Sequence, residues 1–266
     1  MASVGDRRLV FPGILATTAV AMVAEGVVNV NLLPYAVSLG IPAALLGIVF
    51  SAHRMARIVG APWVGLAADR LGRRPPLLCG VFSAALGLLA LAFATGFWSI
   101  LAARLLYGIA SVLLITAGTA SVLDLATPRE RGRMLGIHQA ALYGIYPAGS
   151  AIGGVLVDTA GPRRVFLGCG VVVLLAALLA LVLVVETRHL GGRDRRSPVL
   201  GSTATPSHGS GATIASVIRL FSGPVGGYAL LQMLSGFAVW GVFESTFVLF
   251  MFGRFGPATH FLGLAA

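Results

Sequence analysis

Residues 65–74 read Gly65-Leu66-Ala67-Ala68-Asp69-Arg70-Leu71-Gly72-Arg73-Arg74. They place four charges and Gly72 between two apolar runs, 43–67, which Gly65 helps to close, and 76–95, each near the ~20 residues that a helix needs to cross a bilayer. A charged tight turn between two such runs is what a hairpin of membrane helices requires. The apolar side chains stay in lipid, the helical backbone satisfies its own hydrogen bonds, and the charges remain at the surface. Further runs lie at 12–37, 98–123, 134–157 and 165–185, with a seventh at 225–252. The breaks between the first six carry turn residues: Gly40-Ile41-Pro42, Gly96, Thr127-Pro128 and Gly161-Pro162. Composition agrees, with 57% hydrophobic and 11% charged residues and a mean hydropathy of +0.93, well outside the range of a soluble domain.

The break that starts at Glu186 is different in kind. To about Ser216 the chain is polar and rich in Gly, Ser, Thr and Arg, the composition of a linker between two bundles. The expected organisation is an all-α polytopic membrane protein in three parts: a six-helix bundle over 1–186, a cytoplasmic linker over 187–218, and the start of a second, incomplete bundle over 219–266. A faint repeat supports two halves, since 39–47 (LGIPAALLG) and 255–263 (FGPATHFLG) share their glycine positions. An N-terminal signal peptide, with Arg7 and Arg8 before an Ala19-Val20-Ala21 box, is the weaker reading because the apolar run continues through Val37, longer than a signal's apolar core.

Every basic residue is arginine. With the N-terminus in the cytoplasm, the linker and the 2–3 and 4–5 turns put most of the arginines inside, leaving only Arg163, Arg164 and Arg254 outside, as the positive-inside rule demands. A net charge of +10 would suit nucleic acid, but no basic face with interleaved aromatics is available to follow a backbone. The absence of lysine removes Schiff-base chemistry with retinal or another carbonyl cofactor. Cys79 and Cys169 fall toward opposite membrane faces, too far apart to bridge, and are expected to be inert core residues. No ligand spacing points to a metal, and none is expected. Neither a phosphate-binding loop nor a hydrolase or metalloprotease motif occurs, so no cofactor and no enzymatic activity are expected.

Polar groups inside the apolar runs are the candidate functional residues, because a charge at mid-membrane costs roughly 2.5–3.5 kcal/mol on insertion scales and must pair or face a wet cavity. They are Glu25, Asn29 and Asn31 in the first run, His53, Arg54 and Arg57 in the second, Arg104 in the fourth, His138 in the fifth and Glu244 in the seventh. Glu25 and Asn29 share a helix face, as do Arg54 and Arg57. Glu25 is the leading candidate for a proton-carrying or substrate-reading group, with Arg54 or Arg57 as its counter-charge. Arg104 either joins this pathway or snorkels to the outer surface, about 9 Å away by helix rise.

The opening stretch matches G-x-x-x-D-R-x-G-R-R and so resembles the helix 2–3 loop signature of major facilitator superfamily transporters, at Gly65, Asp69, Arg70, Gly72, Arg73 and Arg74. In this reading Gly65 lets helices approach closely, Gly72 makes the turn, and Asp69 faces a helix N-terminus, where the dipole favours an anion. Arg104-Leu-Leu-Tyr-Gly108 resembles the family's fourth-helix R-x-x-x-G motif, whose arginine is tied to proton coupling in antiporters. The 124–133 loop and Glu186-Thr187-Arg188 resemble the second basic turn and the exit from helix six. The fifth helix departs from the antiporter pattern G-P-x-x-G-G. It reads Gly149-Ser150-Ala151-Ile152-Gly153-Gly154, with Pro147 displaced, although its small residues still permit close packing.

The resemblance implies a secondary transporter of a small solute by alternating access, coupled to protons and working in efflux, as a multi-pass protein of the inner membrane. An uptake symporter for a metabolite and a non-transporting seven-helix receptor are the alternatives. It also implies that this chain supplies the N-terminal half and the seventh helix of such a protein. A missing C-terminal half is then a partner, and alone the chain is expected not to transport.

Overall fold

The computed structural model describes residues 4–187 and the single positions Gly227, Leu231 and Phe250. Apart from Thr187 and those three positions, the linker and the segment expected to begin the second bundle, Glu244 included, lie outside the described residues. The described chain is a helical bundle: α1 (Val4–Ser38), α2 (Ala43–Leu71), α3 (Arg74–Ala92), α4 (Phe97–Leu125), α5 (Arg131–Gln139), α6 (Tyr146–Ala160) and α7 (Pro162–Leu183). Among the described residues five segments, with α5 and α6 read as one span from Arg131 to Ala160, are long and apolar enough to cross a membrane. The 29-residue α2 is not among them. It is long enough, but His53, Arg54 and Arg57 interrupt its apolar face.

The six spans expected before residue 186 are found as helices, and the fifth is broken. Residues Ala140–Gly144 form a π-helical turn between α5 and α6. Pro147 sits at the start of α6 and has no N–H to give the preceding turn.

Helix α4 is central, packing on α1, α2, α3 and α5. Where helices approach most closely, glycine is what allows it. A Cβ at Gly108 of α4 would collide with the His53 carbonyl and Ala56 of α2, and one at Gly149 or Gly153 of α6 with Val23 or Val27 of α1. Ser150 Oγ adds a hydrogen bond to the Gly26 carbonyl across the same α1–α6 seam, 3.3 Å. Gly108, Gly149 and Gly153 stand at these close helix contacts, with Gly154 buried beside them. Gly65 does not. Nothing lies within 4 Å of where its Cβ would be among the described residues, so its close helix contact is not made there.

At one end of the bundle the 2–3 turn is clamped. Gly72 has φ +98°, a conformation that a side chain disfavours, and a Cβ there would strike the Glu186 carboxylate. That carboxylate accepts the backbone N–H groups of Arg73 (2.9 Å) and Arg74 (3.2 Å), so it caps the positive N-terminus of α3. Arg73 then bridges two helices, its Nε donating to Asp124 (3.0 Å) and its Nη1 to Asp69 (2.6 Å). The two carboxylates hold the Arg73 guanidinium above its ordinary pKa, against the opposing effect of burial. Arg74 Nη2 donates to the Leu181 carbonyl, 2.7 Å. The clamp thus joins the ends of α2, α3, α4 and α7. Cys79 is exposed near this end rather than in the core, and Cys169 is partly buried in α7.

Candidate functional site

The candidate site is a polar cluster in the bundle interior where α1, α2, α4 and α6 meet. Glu25 and Asn29, one turn apart on α1, both face inward and are buried. Glu25 Oε1 lies 3.2 Å from Nε2 of His53, both buried, at ion-pair distance without hydrogen-bond alignment. The His53 ring stacks on Tyr107 of α4, centroids 5.9 Å apart, and Tyr107 Oη donates to the Ala21 carbonyl of α1, 3.0 Å. Gly108 lets α2 approach α4 at His53 itself. The imidazole is thereby held between α1 and α4.

One turn along α1, Asn29 joins two further helices. Its Oδ1 accepts from Nη2 of Arg104 (2.8 Å), and its Nδ2 donates to Tyr146 Oη (2.8 Å) at the start of α6. Arg104 is 2% exposed, and its guanidinium lies 5.9 Å from the ring centre of Phe50 on α2, a cation–π distance. It does not snorkel. The π-helical turn matters here, because α6 restarts just beyond it, at Tyr146.

The structure corrects the expected pairing of Glu25. Its direct partner is His53, while Arg57 and Arg104 act on the carboxylate only through space. Arg54 and Arg57 are half-buried on α2; Arg54 bears electrostatically on Arg104. A rule that looks for a formal counter-charge passes over His53, which needs a proton to carry one. A signal was present, because His53 and Arg57 are four residues apart and share a face of α2. Asn31 is turned to its own helix, donating to the Val27 carbonyl. His138 is buried in α5 against Gly118, apart from the cluster. Glu244 lies outside the described residues.

The sequence profile of the Major Facilitator Superfamily matches residues 14–265. The chain belongs to this superfamily. Among its relatives is an uncharacterized MFS-type transporter of Methanocaldococcus jannaschii, 28% identical over 62% of this chain and 42% of the relative. Another is the class B tetracycline resistance protein of Escherichia coli, 25% identical over 82% of this chain and 51% of that protein. The fold matches the crystal structure of a bacterial homolog of the human lysosomal transporter Spinster, inward-facing and unoccupied. The TM-score is 0.78 at 16% identity, covering 99% of this chain and 59% of that one. The superfamily chain described here spans about half the length of the curated relatives it matches.

Proposed function

We propose that this chain is the N-terminal half, with the start of the second half, of a proton-coupled secondary transporter that exports a small solute by alternating access. The observation that carries the reading is the buried Glu25–His53 pair, 3.2 Å apart, in a superfamily of membrane transporters. The pair joins α1 to α2, which each pack more extensively on other helices. Protonating Glu25 removes its negative charge and the attraction to His53, Arg57 and Arg104, which frees α1 to move relative to α2 and α4. A carboxylate that gains a proton on one side and loses it on the other couples that motion to a proton gradient.

The efflux direction is supported by the similarity to a tetracycline resistance protein. The arginine distribution supports a cytoplasmic N-terminus in an inner membrane, which makes the Arg73 clamp a cytoplasmic latch. In this reading 1–186 is the first bundle, 187–218 the cytoplasmic linker, and 219–266 the opening of a second bundle whose remainder is the partner the site needs.

Proteoliposomes test the reading with labelled tetracycline, ethidium and benzoate. With this chain alone, flux stays at the empty-vesicle leak. With a C-terminal half present, at least one probe accumulates against its gradient when a pH difference is imposed, and a protonophore abolishes the accumulation. Flux from the isolated chain, or accumulation that ignores the protonophore, contradicts the proposal.

A further inference from the structure

The charges around the candidate site do not balance. Glu25 is the only carboxylate in the cluster among the described residues, and it is within electrostatic reach of Arg57 and Arg104, with Arg54 acting in turn on Arg104. Arg57 and Arg104 therefore share one carboxylate among the described residues, and His53 lies against it at short range. Uncompensated positive charge at this depth is costly.

Arg104 is the sharpest case. Its Nε and Nη1 are buried and have no hydrogen-bond partner, although a guanidinium is a five-donor fork suited to a carboxylate. The fork is also held in place. Asn29 takes Nη2 and is itself fixed by Tyr146, and Phe50 lies over the guanidinium. An oriented, desolvated fork with donors left open is a built anion site.

We propose that the transported solute is an organic anion whose carboxylate is bound by Nε and Nη1 of Arg104, with the Phe50 ring over the guanidinium favouring an aromatic or otherwise apolar body. The inference rests on the transporter reading and adds the solute's chemical class. Asn29 is a positioning residue, since it acts by aiming the guanidinium. Glu25 and His53 remain the proton-carrying pair, and the anion occupies the donors they leave open.

Equilibrium binding to the chain reconstituted with a C-terminal half in lipid nanodiscs tests this with three probes that share one phenyl ring: benzoate, benzyl alcohol and benzyltrimethylammonium. Benzoate binds saturably, the alcohol binds at least about tenfold more weakly, and the cation does not compete. Arg104→Gln lowers benzoate affinity by about tenfold or more, and Arg104→Lys by less, because lysine keeps the charge without the fork. Thr159→Ala, exposed and remote, changes nothing. Unaltered helicity by circular dichroism certifies each variant, and if Arg104→Gln does not fold, Arg104→Lys decides. Absence of saturable benzoate binding, or wild-type affinity in a folded Arg104 variant, overturns the inference. So does preferential binding of benzyltrimethylammonium that is lost in Glu25→Gln, which would leave the transporter reading standing with a cationic solute. Failure of that reading appears separately, as missing gradient-driven accumulation with benzoate binding intact.

Discussion

Arg73 illustrates how burial decides what a charge pair contributes. The Asp69 side chain is 68% exposed and that of Asp124 is 13% exposed. The first pair is largely screened by water, while the second is a shielded, charge-assisted contact between two helices. Asp124→Asn is expected to destabilise the bundle by roughly 1.5–3 kcal/mol. Asp69→Asn is expected to cost no more than about 1 kcal/mol. Thermal unfolding of the two variants in one detergent checks the order, and equal losses would contradict it. Because the pKa of Arg73 is raised in the fold, its contribution is full below the unfolded arginine pKa and is lost only as pH rises through the higher folded value. The difference between the variants should not be altered by Arg73 titration between pH 6 and 9. At this scale the sequence named the motif residues of the clamp but not their partners. Glu186 and Asp124 are more than 50 residues from Arg73 in the chain, and no local spacing links them.

The helices were readable because an apolar run long enough to span has few alternatives in a bilayer. Their contacts were readable only in part. Gly149 and Gly153 stand four apart in a small-residue row, and such a row predicts a close seam. Gly65 meets no neighbour among the described residues. The π-helical turn has no distinct sequence signal: Gly144 ends it and Pro147 follows it, and their spacing reads equally well as an ordinary helix start. Gly108 and Gly136 make the contrast testable. A methyl at Gly108 meets the α2 backbone at His53, whereas at Gly136 it meets nothing within 4 Å. Gly108→Ala should cost about 1–3 kcal/mol through overpacking and disturb the Glu25–His53 pair. Gly136→Ala should be neutral or stabilise by up to about 1 kcal/mol. Unfolding midpoints that move together would show that the α2–α4 seam is looser than described.

For the whole molecule, arginine placement and helix order predict a definite topology. In a version with Cys79 and Cys169 replaced, membrane-impermeant maleimide should label a cysteine at Ser38 in intact cells and leave one at Ser202 unlabelled. The reverse pattern would invert the orientation and make the Arg73 clamp an external feature. The architecture was legible in the sequence, since six runs, their turns and the motif order all point the same way. The interior site was legible only as a set of residues. Glu25, Asn29 and Arg104 do converge, but only three-dimensional packing reveals that His53 and Tyr146 complete the cluster. Protonation of Glu25 drives the cycle in the proposed mechanism, and Glu25→Gln, in the protein carrying both halves, tests that role most directly. Gradient-driven accumulation should fall to the level of vesicles without protein, while solute counterflow at equal pH persists, because the neutral amide mimics the protonated state and cannot release a proton. Accumulation in Glu25→Gln with wild-type extent and pH dependence would show that the carboxylate is structural and contradict the proposed mechanism.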